Sequence, residues 1–220
     1  PANFNSTLSA GAATAANIAA IEAANGTGTI DGSALTAITG TAAAVVQAIT
    51  DLDTDPANFN STLSAGAATA ADIAAIEAAN GTGTIDGSNL TAITGTAAAV
   101  VQAIADLDTD PTNFNSTLTG TAAATDVTAI EAANGTGTIT GSALTAINGT
   151  YAQIAQALTD LDTDPTNFNS TLTAGAEDAA NITLLEAANG TGDIDGSALT
   201  AINGTAAEIV QAIADLDTDP

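Results

Sequence analysis

The chain has no lysine, no arginine and no histidine among its 220 residues, against 25 aspartates and glutamates, so its formal charge is −25. Side-chain salt bridges are therefore impossible. Self-repulsion on this scale has to be met by spacing the charges along an elongated body, by screening salt, or by bound cations. A nucleic-acid partner is excluded, because phosphate recognition rests on Lys and Arg, and docking on an anionic membrane is disfavoured for the same reason. Cysteine and methionine are also absent, which removes any disulfide framework or thiolate metal site. Without His, Cys, Lys or Arg, no nucleophile and base pair, cationic stabiliser or nitrogen metal ligand can be assembled, so we read the chain as no enzyme. The apolar fraction of 45% is mostly alanine, and no apolar run approaches a membrane span, so membrane insertion is not expected. A composition free of sulfur and of basic side chains fits exported material in a saline medium. The sequence opens on Pro1 without a signal peptide, which reads as a processed piece of a longer array.

What is present is repetition. Pro-Ala-Asn-Phe-Asn-Ser-Thr-Leu opens at Pro1 and Pro56, Pro-Thr-Asn-Phe-Asn-Ser-Thr-Leu opens at Pro111 and Pro165, and each copy closes on Asp-Leu-Asp-Thr-Asp. The copies run 1–55, 56–110, 111–164 and 165–219, with Pro220 starting another, and we read 1–220 as one continuous array of four repeats. A weaker period lies inside each copy: Ser6 to Ile18 aligns with Ser33 to Val45 at an offset of 27 residues, the length of one strand-plus-helix coil. The third copy is one residue short between Leu118 and Asp126, where a strand-to-helix loop is expected.

Each half-copy has its own grammar. Thr41 is placed to cap a helix from Ala42 to about Leu52, with Val45, Ile49 and Leu52 on one face. Thr14 caps a second, carrying Ile18 and Ile21 inward and stopping at Asn25-Gly26. Between them, Thr27-Gly-Thr-Ile-Asp-Gly and Ser33-Ala-Leu-Thr-Ala-Ile are rich in Thr and β-branched residues and read as two short strands with a bend. Helices this short do not persist alone, and one thin apolar stripe cannot bury itself, so the units must stack. The fold expected is α/β: a solenoid of short parallel strands and short helices, two coils per repeat, about 38 Å long for eight coils at ladder spacing. The alternative is an α-solenoid in which 33–38 forms a turn of helix.

The stretch from Gly28 to Ala43, Gly-Thr-Ile-Asp-Gly-Ser-Ala-Leu-Thr-Ala-Ile-Thr-Gly-Thr-Ala-Ala, resembles the Thr, Ala and Gly-rich tandem repeats of very large secreted or cell-surface bacterial proteins, marine cyanobacteria among their sources. The shared feature is a strand, then Ile-Thr-Gly-Thr-Ala-Ala, then a helix. It recurs at Ile93–Ala98 and, altered, at Ile147–Tyr151 and Ile202–Ala207. The resemblance implies an exported, repetitive scaffold or adhesin-like protein, and carries over no catalytic residue.

One constellation could hold a metal. Asp51-Leu-Asp53-Thr-Asp55 recurs as Asp106, Asp108 and Asp110, as Asp160, Asp162 and Asp164, and as Asp215, Asp217 and Asp219. Alternate carboxylates in an extended segment are the kind of oxygen set calcium takes, and the tract follows a helix C-terminus, where negative charge is unfavourable. The plain alternative is a solvated acidic linker before a proline. Asn25-Gly-Thr-Gly-Thr and its counterparts at Asn80, Asn134 and Asn189 are no phosphate loop, because the glycine spacing does not fit, a strand follows, and no Lys is present. Thr27-Gly-Thr29, Thr82-Gly-Thr84 and Thr136-Gly-Thr138 could order water on a flat face as ice-binding solenoids do, but the fourth copy has Thr191-Gly-Asp193. Asn-x-Ser/Thr sequons at Asn5, Asn25, Asn60, Asn80, Asn115, Asn134, Asn169 and Asn189 are open to glycosylation.

The function expected is that of an extracellular or cell-surface structural segment, a rigid spacer or filament-forming scaffold whose partners are neighbouring repeats and other copies of itself. The alternative is a calcium-dependent adhesin or ice-binding array.

Overall fold

The computed structural model describes residues 3–220. The chain divides into two compact units, the first running to Thr94 and including Gln102–Phe114, the second comprising Gly95–Val101 and Asn115–Pro220. In chain order the elements begin β1 (Ser6–Thr7), β2 (Gly11–Thr14), α1 (Ala15–Asn25), β3 (Ile30–Asp31), β4 (Leu35–Gly40), α2 (Ala42–Asp51), β5 (Asn60–Leu63), β6 (Gly66–Thr69), α3 (Ala70–Ala79), β7 (Ile85–Asp86), β8 (Leu90–Gly95) and α4 (Ala97–Asp106). They continue β9 (Asn115–Ala123), α5 (Ala124–Ala133), β10 (Ile139–Asn148), α6 (Tyr151–Asp160), β11 (Ser170–Thr171), β12 (Gly175–Asp178), α7 (Ala179–Ala188), β13 (Ile194–Asp195), β14 (Leu199–Asn203) and α8 (Ala206–Asp215).

The molecule is α/β, with alternating strand and helix units and parallel strands. In the first unit β2, β4, β5 and β7 form a parallel sheet in that order, β1 pairs with β3, and β6 with β8. In the second, β9 pairs with β10, β11 with β13, and β12 with β14, all parallel. The α-solenoid alternative is corrected at this point: Leu35–Gly40 is a strand bonded to β2 on one edge and β5 on the other. Thr36, Ile38 and Thr39 are stiff at χ1 and pack on a pleated surface better than in a helical turn.

The helices start where threonine can accept from the third helical amide. Thr14, Thr41 and Thr69 do so at 3.2, 3.3 and 3.1 Å, and Thr150 and Thr205 form full capping boxes with Gln153 and Glu208. The first helix of each copy stops at Asn-Gly: Gly26, Gly81, Gly135 and Gly190 follow it with φ near +70°, a region costly for other residues, whereas α2, α6 and α8 end on an extended leucine. The buried stripe of α2 differs from expectation. Ala42, Val45 and Ala48 are buried, with Leu52 beneath the C-terminus, whereas Ile49 is half-buried. The stripe follows the small residues because alanine lets the helix sit close to its neighbours.

The third copy departs from the others in a way its sequence explains. Where the first, second and fourth copies have two strands separated by a bend, the short segment Asn115–Ala123 is one continuous strand. The missing residue is therefore the bend, and the loop expected between Leu118 and Asp126 is not there. Later in the same copy, Thr140 stands where the others have Asp31, Asp86 and Asp195. Those aspartates accept from Ser33, Ser88 and Ser197 N–H at 2.9–3.0 Å, an Asx turn that breaks the strand. Without it, Ile139–Asn148 runs through unbroken.

Candidate functional site

The acidic tracts are the one candidate metal site the sequence offers, and the structure sets their three aspartates in three different surroundings. The first lies at the end of a helix and accepts from a glutamine one turn earlier. Gln47 Nε2 donates to Asp51 Oδ1, Gln102 to Asp106 and Gln156 to Asp160 at 2.7 Å, and Gln211 to Asp215 at 2.6 Å. Asp160 and Asp215 also accept from the hydroxyls of Thr128 and Thr183 at 2.8 and 2.7 Å.

The second aspartate turns back onto the chain. Ile30 N–H donates to Asp53 Oδ2 at 2.7 Å while Asp53 N–H donates to Ile30 O at 2.9 Å, and Gly32 N–H donates to Thr54 O at 2.9 Å. Asp53-Thr54 thus serves as a further parallel partner of the strand, bridging Asp31 to Thr54. The same clip joins Asp108 to Ile85, Asp162 to Ile139 and Asp217 to Ile194, each at 2.8 Å. A charged acceptor on a backbone amide is among the stronger hydrogen bonds.

The third aspartate precedes a buried proline in the first three copies: Pro56, Pro111 and Pro165. Partial burial pushes the carboxyls of Asp55, Asp110 and Asp164 up from their ordinary value. Asp219 is exposed beside Pro220. Among the described residues no group of three or more Asp or Glu side chains is gathered where it could hold a metal ion. Calcium at any tract would share the second carboxylate with its isoleucine amide, which already takes one of the two oxygens. Nearby, burial and then the charges of Asp215 and Asp217 push Glu186 up.

The glycine-rich loops are structural. Asn25, Asn80, Asn134 and Asn189 are fully buried, and their Nδ2 groups donate to the carbonyls of Gly28, Gly83, Gly137 and Gly192. Sequons at these four positions therefore have no accessible amide in the folded chain. The Thr-Gly-Thr segments are clamped by the Asn-Phe-Asn motif that opens each copy. Thr82 N–H donates to Asn58 Oδ1 at 2.8 Å and Thr84 N–H to Asn60 Oδ1 at 3.0 Å. Phe59 lies between them, 1% exposed, and its carbonyl sits where any side chain on Gly83 would be, 1.8 Å from an added Cβ. In the sequence this motif marks the start of each copy and gives no sign of the clamp. Its signal was available in the alternation of Phe59, Ser61 and Leu63, all buried, with exposed Asn58, Asn60 and Thr62.

Open space on the molecule is apolar and shallow. A groove of about 510 Å³ between α7 and α8 is lined by Ala180, Thr183, Leu184, Ala207, Glu208 and Gln211, a set with one titratable group and no base to pair with it. Compared with family models, curated proteins and solved structures, the chain matches none.

Proposed function

We propose that the chain is a stretch of a continuous solenoid, repeats 1–55, 56–110, 111–164 and 165–220, acting as a rigid spacer or filament-forming scaffold outside the cell. The single observation behind this reading is that the residues richest in chemical potential are spent on structure. The second aspartate of every tract caps a strand amide 23 residues away, and the paired asparagines of the copy openings clamp the loop ahead of them. These bonds join one part of a copy to another. Dense negative charge without a cation suits a saline exterior, where charges are screened beyond roughly 10 Å or less.

The experiment that tests the solenoid is a series of chains with two, four and six copies. Nearest-neighbour coupling makes the melting temperature rise with copy number, and a melting temperature independent of copy number would instead mark independent domains. The calcium-dependent alternative is decided on the same samples by melting in calcium and in sodium at equal ionic strength. A rise specific to calcium, abolished by Asp→Asn changes in the tracts, would move the reading to a metal-rigidified binding array.

A further inference from the structure

Among the described residues, seven buried side-chain oxygens have no hydrogen-bond partner in the protein, and they recur at the same places copy after copy: Oδ1 of Asn25, Asn80, Asn134 and Asn189, and Oγ of Ser61, Ser116 and Ser170. The asparagines are 0% and the serines 1% exposed. The polar groups beside these oxygens are used. In the second copy Asn80 N–H donates to Ile76 O at 2.9 Å, and Asn80 O accepts from Phe59 and Gly83 N–H at 3.2 and 3.0 Å. Asn80 Nδ2 donates to Gly83 O at 3.0 Å, and Ser61 N–H donates to Thr84 O at 2.7 Å.

By polarity the serine is out of place. Ser61 stands in the ladder between Ile38 and Ile85, both 0% exposed, and Ser116 and Ser170 stand beside Ile139 and Ile194, also 0% exposed. A hydroxyl buried in an isoleucine row is costly unless something bonds it. The complementary need lies in the same copy. The segment carrying Ser61 is bonded to Asn80 at Phe59 and to Thr84 at Ser61 itself, so it covers the loop that Asn80 closes. The fourth copy repeats this: Phe168 N–H donates to Asn189 O at 3.1 Å and Ser170 N–H to Asp193 O at 2.8 Å.

We propose that Ser61 with Asn80, Ser116 with Asn134 and Ser170 with Asn189 each hold one buried water molecule. The serine hydroxyl donates to the water, and the water donates to the asparagine Oδ1. One orphan donor and one orphan acceptor are thereby satisfied together, within the about three bonds an internal water makes. A cation does not fit, because a neutral carbonyl and a neutral hydroxyl do not offset the burial of a charge. The bridge ties the opening segment of a copy to the helix stop of the same copy. The exposed asparagines of that segment already clamp the loop from outside, so the joint is bonded on both faces. This goes beyond the spacer reading and does not depend on it.

A crystal structure of the full 220-residue chain that resolves ordered solvent tests the proposal, together with Ser61→Ala. Wild type is expected to show one water within about 3.2 Å of both Ser61 Oγ and Asn80 Oδ1, and the same at the other two pairs. Ser61→Ala should lose that water and keep those at Ser116 and Ser170, which serve as controls in the same molecule. It should also keep the wild-type circular dichroism and lower the urea midpoint, because Asn80 Oδ1 is left without a donor. The proposal is overturned if Ser61 Oγ bonds directly to Asn80 Oδ1 or to a main-chain carbonyl, if the space between them is empty, or if an ion fills it. A Ser61→Ala chain as stable as wild type or more so also overturns it, since removing an unbonded hydroxyl from an apolar row does not destabilise. The spacer reading is judged separately, by the copy-number series.

Discussion

Gly83→Ala isolates one of the tightest contacts in the first unit, matched by Gly28 against Phe4. Gly83 is not among the glycines of positive φ, so alanine brings no backbone strain and the cost is steric. An added Cβ would sit 1.8 Å from Phe59 O, 2.4 Å from Phe59 C and 3.1 Å from Asn80 O, all backbone atoms that cannot rotate away. The two segments must part by more than an ångström, and four hydrogen bonds cross the gap. Phe59 N–H donates to Asn80 O at 3.2 Å and Ser61 N–H to Thr84 O at 2.7 Å, beside the two asparagine clamps on Thr82 and Thr84. At about 1 kcal/mol each, less roughly 0.4–1 kcal/mol from the stiffer unfolded chain, the net loss is about 3 kcal/mol or more. Gly87→Ala is the comparison: its Cβ would meet Leu107 Cδ1 at 2.7 Å, a side chain that can yield, for about 1–3 kcal/mol. Urea unfolding followed by circular dichroism gives the ranking, and hydrogen exchange at the Ser61 and Thr84 amides locates the damage. Gly83→Ala within 1 kcal/mol of wild type, or milder than Gly87→Ala, would refute the geometry.

Other outcomes follow from single residues. Ala123 occupies the cap position of α5 with φ −74° and ψ 135° but no side-chain bond, so Ala123→Thr should raise stability by about 0.5–1 kcal/mol, read as a higher urea midpoint. Asp108→Asn removes a charged acceptor from Ile85 N–H and should cost about 1–2 kcal/mol; Asp106→Asn, whose partner is an exposed glutamine, should cost less than about 0.5 kcal/mol by the same denaturation. In acid the terms oppose. The serine hydroxyls and then the amides of Ser33, Ser88 and Ser197 hold Asp31, Asp86 and Asp195 low, a contribution present above the unfolded pKa and lost as pH falls through the folded one. Burial holds Asp55, Asp110 and Asp164 high, a cost relieved as pH falls. No basic side chain exists to build positive charge, so circular dichroism should keep its helical signal to about pH 3 while solubility falls; cooperative unfolding between about pH 5 and 3 would contradict this.

Much of the local structure was legible because its causes are local. Thr14, Thr41 and Thr69 cap within three residues, and Asn25-Gly26 stops α1 within two, so these helix ends are set by neighbours in the chain. The strands at Ile30–Asp31 and Leu35–Gly40 followed from Thr and β-branched density. The Asn-Phe-Asn clamp and the Asp53 clip were not legible in the same way, since each joins backbone and side chain across 23 or 24 residues. Acidic spacing counts carboxylates without saying where each one turns. The direction is set by the tract's pairing with Ile30, and no pattern within five residues carries that information. The stripe of α2 was misassigned at Ile49 for a related reason: size favours isoleucine, whereas close helix packing favours Ala48.

Differences among the copies separate side chains the fold uses from those it carries. At the second threonine of the Thr-Gly-Thr segment the fourth copy has Asp193, and its N–H still donates to Asn169 Oδ1 at 3.0 Å, as Thr84 does to Asn60. The loop needs the amide there and is indifferent to the hydroxyl, so an unbroken threonine row is not a requirement of the architecture. At Thr140 the exchange runs the other way and matters, because losing the carboxylate loses the Asx turn and merges two strands into one. The acids follow the same logic. In a chain without cations a carboxylate can be satisfied within the protein only by neutral donors, and Gln47 Nε2, Ile30 N–H and Ser33 N–H supply them to Asp51, Asp53 and Asp31. Each of these bonds stays within one copy, so lengthening the array brings the donors for these three carboxylates along with them. Net charge then grows in proportion to length, and salt screens the repulsion between charges that lie far apart.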